Sequence, residues 1–219
     1  MPSTDNYLFL IMPKKHHQDL IPDKIYHIYS RAVGDEKLFK SDENYRYFLQ
    51  KFKKYILPIA DIYTWTLLPN HFHFMIRIKS VELITLHFSN LKKQTQLESD
   101  NVPDFLMQCF SNLLNSYTKS FNKVYNRKGS LFIDYLRRVL VKDDTQFGAT
   151  AFYIHKNPVQ HGYCKKMEDW KWSSYNSFLI KEPKEPISIE LLEWFGGIRG
   201  FLEYHLEPVY LKSAIIIDE

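Results

Sequence analysis

Two short β-type runs separated by a two-residue breaker constrain this chain most tightly. Ile62 to Leu68 (IYTWTLL) is rich in β-branched and aromatic residues, Pro69-Asn70 supplies a turn, and Phe72 to Ile78 (FHFMIRI) alternates clearly. The two runs are expected to pair as a hairpin. Residues i and i+2 of a strand share a face. His71 and His73 therefore fall together on one side, and Phe72 and Phe74 point to the other, into a core.

The flanks extend this pattern. Ile25 to Val33 (IYHIYSRAV) reads as an earlier strand. After Ser41, Tyr45, Phe48, Leu49, Phe52, Tyr55 and Ile56 recur at helical spacing until Pro58. Ser80 to about Tyr125 is largely helical with a break at 99–103, and Asp104 to Val124 carries Phe105, Leu106, Cys109, Leu113, Tyr117 and Phe121 near one face. Asn126 to Gly129 is a turn, and Leu131 to Val141 is a fourth strand or extended segment. Asp143-Asp144 then caps a helix running to about Lys156, stopped by Pro158. The order β-α-β-β-α-β followed by a helix predicts an α+β fold. It is a ferredoxin-like (split βαβ) antiparallel sheet with helices on one face.

Three regions follow: an irregular leader over 1–22, a domain over 23–180, and an acidic C-terminal appendage over 181–219. In the appendage Pro183 and Pro186 suggest a linker, and Leu191 to Phe195 and Phe201 to His205 suggest short helices packed on the domain. A hydrophobic content of 45%, with 16% aromatic residues, is ample for a buried core. No apolar run approaches the roughly 18 residues of a membrane span. The leader lacks the basic start and cleavage site of a signal peptide, so the expectation is a cytoplasmic protein without membrane contact. Cys109 and Cys164 form no CxxC pair and read as two free buried thiols.

Charge is unevenly spread. Lys119 to Lys142 holds seven basic residues opposed only by Asp134, whereas Glu182 to Glu219 holds eight acidic residues against three basic ones. A basic block beside aromatics suits a polyanion, and a solvated helix face accounts for it equally well.

Two neighbouring imidazoles can bind one divalent metal through neutral ring nitrogens. Taken alone, His71 and His73 read more readily as two unrelated histidines on a half-exposed strand. A second group lies in Tyr153-Ile154-His155-Lys156-Asn157-Pro158, where helical spacing puts Tyr153 and Asn157 on one face. A phenol near a metal is a nucleophile in waiting, and an amide oxygen is a hard ligand. His155 lies on a different face and is a poor choice for a base. Tyr117 is the second nucleophile to consider, although its apolar neighbours favour a core role. Trp170, Trp172 and Tyr175 read as packing residues that close the domain.

The combination of Pro69-Asn70-His71-Phe72-His73, Tyr153 with Asn157 and then Pro158-Val159, and Trp172-Ser173-Ser174-Tyr175 resembles one family. Tyr26 to Arg31 (YHIYSR) and Asn126 to Phe132 (NRKGSLF) support it. The family is the REP-associated tyrosine transposases, relatives of the single-tyrosine transposases of small bacterial insertion sequences, which are HUH (His-hydrophobic-His) endonucleases. The resemblance covers roughly residues 24–178. It implies a fold of the HUH endonuclease type, with His71 and His73 as metal ligands and Tyr153 as nucleophile. Asn157 would be a third ligand, although Gln is common there and Asn is shorter-armed. The implied cofactor is Mg²⁺ or Mn²⁺.

The implied reaction is nicking and rejoining of single-stranded DNA through a 5′-phosphotyrosine, as in DNA transposition. A free phenol titrates near about 10, so it needs help to ionise. The implied partner is single-stranded or hairpin DNA from short palindromic repeats, and a homodimer remains open because relatives of this architecture occur both ways. Arg127, Lys128, Arg137 and Arg138 are the candidates for backbone contacts. Two other readings stand beside this one. The first is a domesticated DNA-binding module that keeps the fold without transposition. The second is a metal-dependent hydrolase with a water nucleophile, which has no obvious carboxylate base near the motif.

Overall fold

In a computed structural model of the chain, the structure describes residues 18–93, 97–133, 136–180 and 185–206. Most of the leader and part of the acidic appendage lie outside these residues. The central pair of strands is β1 (Ile25–Arg31) and β3 (His71–Ile78), and β2 (Ala60–Leu68) and β4 (Arg137–Leu140) flank it in the order β2-β3-β1-β4. All three pairings are antiparallel. The expected hairpin is present, with Leu68 opposite His71 across the Pro69-Asn70 turn.

Alternation along β3 divides the sheet into two different faces. Phe72, Phe74, Ile76 and Ile78 are fully buried against α1 (Asp42–Tyr55) and α3 (Val102–Val124). Phe74 stacks on Phe52 with ring centroids 4.0 Å apart, and Phe48 meets Phe72 at 5.0 Å. These are the two crossover helices of the split βαβ pattern. Asn44 accepts hydrogen bonds from the backbone N–H groups of Lys40 and Ser41, which fixes the start of α1. The break after α2 (Val81–Lys92) matches the sequence, and Pro103 lies in the first turn of α3, where its missing N–H costs nothing.

The other face carries His71, His73 and Met75, and α4 (Asp144–Gln160) covers it. Asp143 caps this helix by accepting from the Gln146 N–H at 2.8 Å. Pro158 does not stop the helix as the sequence suggests. It sits buried in the last turn, where only one internal hydrogen bond is forfeited, and the chain turns off at His161. β4 is also shorter than the 131–141 expectation. Phe132 makes only an isolated bridge to Ala32, and Asp134 and Tyr135 lie outside the described residues.

Beyond α5 (Tyr175–Ile180), Pro186 opens a helix rather than extending a linker. Helices α6 (Pro186–Trp194) and α7 (Gly197–Leu206) pack Leu191, Phe195 and Phe201 into a second core with Phe147, Ala151 and Ile154 of α4. A bulge in β2, where the register shifts between Ile62 and Thr64, turns Tyr63 toward this second core. The outer edge of β2 is closed by Trp172-Ser173-Ser174. Leu67 N–H donates to Trp172 O, Ser174 N–H donates to Trp65 O, and Thr66 bridges Ser173. Trp172 stacks on Tyr45 at 4.5 Å, and Trp170 Nε1 donates to Leu67 O, so both tryptophans are packing residues, as expected. Among the described residues no helix is long and apolar enough to cross a membrane. Both cysteines are free, but only Cys109 is buried, because Cys164 sits in the half-exposed turn after α4.

Phe74 joins the sheet to α1 with no exposed surface. Phe74→Ala is expected to lower unfolding free energy by ~3–5 kcal/mol, read as a drop in the urea midpoint; a loss below ~1 kcal/mol would contradict this packing.

Candidate active site on the histidine face

α4 crosses the sheet so that its Tyr153–Asn157 stripe meets the β3 histidines. Asn157 is fully buried, and its Oδ1 lies 2.9 Å from His71 Nε2. The Tyr153 ring stands edge-on to His73 with centroids 5.4 Å apart and an interplanar angle of 87°. The four side chains singled out from sequence are therefore gathered in one place. His71 and His73 approach each other with ring centroids at 5.1 Å.

Two further histidines complete the cluster, and neither had been assigned to the site from sequence. His27 of β1 is buried, and its Nε2 lies 2.9 Å from His73 Nδ1. Tyr29 sits directly opposite His73 in the β1–β3 register, and its ring stacks on both His27 and His73. His161, at the C-terminal end of α4, lies 4.8 Å from His71 between ring centroids. The spacing 153–157–161 repeats every four residues, a helical signal that does extend to His161. Nothing local in the sequence marks His27, because its role depends on which strand pairs with β1.

Burial sets the charge state of the inner pair. Desolvation pushes the His27 imidazole down to about 3. It also holds His73 well below its ordinary value, and the neighbouring His27, His71 and His161 lower it further. Both rings are neutral at physiological pH, the form that binds metals.

The residues fit a divalent cation. His73 Nε2 is buried and makes no hydrogen bond among the described residues. His71 has Asn70 Oδ1 at 2.8 Å from Nδ1 and Asn157 Oδ1 at 2.9 Å from Nε2. A neutral imidazole carries one N–H for these two oxygens. When Asn70 takes it, His71 Nε2 and Asn157 Oδ1 face each other as two lone-pair donors, an arrangement that a cation satisfies. Their separation also suits one: adjacent ligands each about 2.1 Å from an octahedral ion lie about 3 Å apart. The donor set is two imidazoles and an amide. Among the described residues no cluster of three or more His, Cys, Asp or Glu side chains is arranged to hold a metal, so the amide is needed to complete three.

The basic candidates are not brought together. Arg137 and Arg138 alternate across β4. Arg137 pairs with Tyr29 on the histidine face, with its guanidinium 6.0 Å from the Tyr29 ring centre. Arg138 pairs with Ile28 on the opposite face, is 6% exposed, and donates to the carbonyls of Gln18 and Leu136. Arg127 is held by Glu36, Asn122 and the Ser130 carbonyl, which ties down the 126–130 turn. Lys128 is exposed on that turn. Tyr117 is buried in the first core with its hydroxyl donating to Leu38 O, away from the histidines. His155 points to the second core, bonding Ser174 and His205 at 2.9 Å each.

Comparisons with known proteins bear on the fold and on the family resemblance. A protein of Haemophilus influenzae named as a REP-associated tyrosine transposase is 25% identical over 113 residues, covering 50% of this chain and 56% of its own length. The match thus spans little more than half of that relative. A solved structure of a REP-associated tyrosine transposase bound to a REP hairpin superposes with a TM-score of 0.53 at 17% identity, covering 78% of this chain and 87% of that one. No protein-family model matches the chain. The resemblance read from the motifs is therefore found again in an aligned sequence, and the HUH-type fold in a superposed structure.

Buried neutral histidines make stability depend on pH. Their folded values lie below the roughly 6.5 of an unfolded chain, so between the two the unfolded state binds more protons. Stability is complete above about 6.5 and is lost as pH falls toward 3. At pH 5 a histidine held as low as His27 costs about 2 kcal/mol. The urea midpoint of metal-free protein should fall clearly between pH 7 and 5; a flat profile would argue that these rings are hydrated.

Proposed function

We propose that the chain is a metal-dependent transposase-type enzyme that nicks and rejoins single-stranded DNA beside hairpins, with Tyr153 as nucleophile and His71, His73 and Asn157 as metal ligands. The observation that carries this reading is the delivery of Tyr153 and Asn157 onto the histidine face, with Asn157 Oδ1 2.9 Å from His71 Nε2 and the Tyr153 ring 5.4 Å from His73. That a similar fold has been solved with a REP hairpin supports hairpin DNA as the partner.

The chemistry asks little of the side chains beyond position. A bound Mg²⁺ or Mn²⁺ would polarise a non-bridging phosphate oxygen and offset its charge. Tyr153 is held on a helix packed against the sheet, so its ring has little orientational freedom to lose, and its oxygen is buried in this structure. In the transfer the Tyr153 oxygen bonds to phosphorus and the bond from phosphorus to the 3′ oxygen breaks. The phenolic proton is given up and the departing 3′ oxygen takes one, leaving a 5′-phosphotyrosine and a 3′-OH. One phosphoester replaces another, so a second 3′-OH can run the step backwards and join strands. Arg137 lies beside Tyr29 on the histidine face, where its guanidinium can neutralise a phosphate. Lys128 is exposed and suited to backbone contact, whereas Arg127 and Arg138 hold the fold.

The test is a labelled single-stranded hairpin, from repeats of the source genome, incubated with protein and Mn²⁺ and run on a denaturing gel. Wild type should give a covalent adduct and Tyr153→Phe none. Absence of an adduct with wild type, together with retained hairpin binding, would favour the DNA-binding module that has lost transposition.

Arg137→Ala should weaken hairpin binding and reduce the salt slope by about 1 while leaving the melting temperature unchanged. Arg138→Ala should lower stability instead. Equal binding losses from both, without destabilisation, would overturn this division.

A further inference from the structure

The buried hydrogen bond between His27 and His73 has a direction, and that direction decides whether His73 can act as a ligand. Nε2 of His27 and Nδ1 of His73 are 2.9 Å apart, and both rings are buried. Two neutral imidazoles share one N–H across such a contact, so there are two arrangements. If His27 donates, His73 must carry its own proton on Nε2. That nitrogen is buried and has no acceptor among the described residues, so a donor would be stranded there. If His73 donates from Nδ1, its Nε2 presents a lone pair, and the His27 proton sits on Nδ1, which is not among the fully buried atoms without a partner.

We infer that His27 is a positioning residue that accepts the Nδ1 proton of His73 and so holds the His73 Nε2 lone pair toward the cation site. This inference rests on the metal-site reading above. Ring packing reinforces it. His27 is stacked on His73 at 15° between planes and Tyr29 at 21°, while Tyr153 stands edge-on to both histidines. The imidazole can neither flip nor tilt without breaking these contacts. Asn70 does the same for His71 by facing its Nδ1 at 2.8 Å. Each ligand histidine thus has its own hydrogen-bond partner, one from the turn before β3 and one from the neighbouring strand. Such partners fix the tautomer and orientation of a ligand and raise its basicity.

The experiment has two readouts, neither of them catalytic. Nitrogen-15 NMR of the metal-free protein reports which nitrogen of His73 carries the proton, and Nδ1–H is expected. Mn²⁺ titration by calorimetry then compares wild type, His27→Phe and His27→Gln, with far-ultraviolet circular dichroism as the check on folding. His27→Phe keeps the stacked ring but has no acceptor, and should lose about 10–100-fold in Mn²⁺ affinity. His27→Gln places an amide oxygen roughly where Nε2 was, and should recover most of that loss. An Nε2–H tautomer at His73, or His27→Phe binding Mn²⁺ as tightly as wild type, would overturn the inference. If wild type itself binds no Mn²⁺, the metal-site reading fails and with it the ligand role given to His73. The tautomer signal then decides by itself whether His27 is the acceptor.

Discussion

Everything in this fold depends on the antiparallel pairing of β1 with β3 at the centre of the sheet. The pairing sets Tyr29 opposite His73 and Ile28 opposite Phe74. One face of the pair is apolar and the other is made of imidazoles and a phenol. The apolar face is covered by α1 and α3 and supplies most of the first core. On the imidazole face His27 meets His73 and His71 lies between Asn70 and Asn157, while His73 Nε2 makes no hydrogen bond among the described residues. A slip of one residue would turn aromatic side chains toward α4 and histidines into the core, so the hydrophobic pattern and the site enforce the same register.

The helix that completes the site is held in place from several sides. His155 of α4 bonds Ser174, which also accepts from Trp65 N–H at the edge of β2. His205 of α7 bonds the other His155 nitrogen and donates from Nδ1 to Phe201 O. The Trp172-Ser173-Ser174-Tyr175 motif therefore closes the sheet edge and anchors α4 together. Gly148 shows how closely α6 approaches α4: a Cβ there would sit 2.4 Å from the Trp194 ring. A phenol carried on a helix clamped in this way keeps its distance from the histidines. This is the economy of building a site on packed elements instead of loops.

The site was legible wherever it followed a local period. His71 and His73 share a strand face at spacing two, and Tyr153 and Asn157 share a helix face at spacing four. The same rule would have reached His161, one turn further on. Arg137 and Arg138 show where local reading stops. They are adjacent in sequence and equally basic, yet β4 sends one toward the histidines and buries the other beside Tyr26 and Gln18. Composition could not separate them, because which of two adjacent strand residues faces outward is decided by the partner strand.

Pro158 and Pro186 make the same point for helix ends. In the sequence both look like interruptions. Proline forfeits only a single hydrogen bond in a last turn and none in a first turn, so both were accommodated within helices. The sequence by itself determined most of the strands and helices, the apolar face of the hairpin and the placing of His71 and His73 on one face, because periods of two and of 3.6 are properties of the local backbone. Only the tertiary structure decided that His27 bonds His73, that α4 lies on the histidine face, and that Arg137 and Arg138 part company. Those facts depend on strand register and on which face each helix covers, and both are set by contacts between residues far apart in the chain.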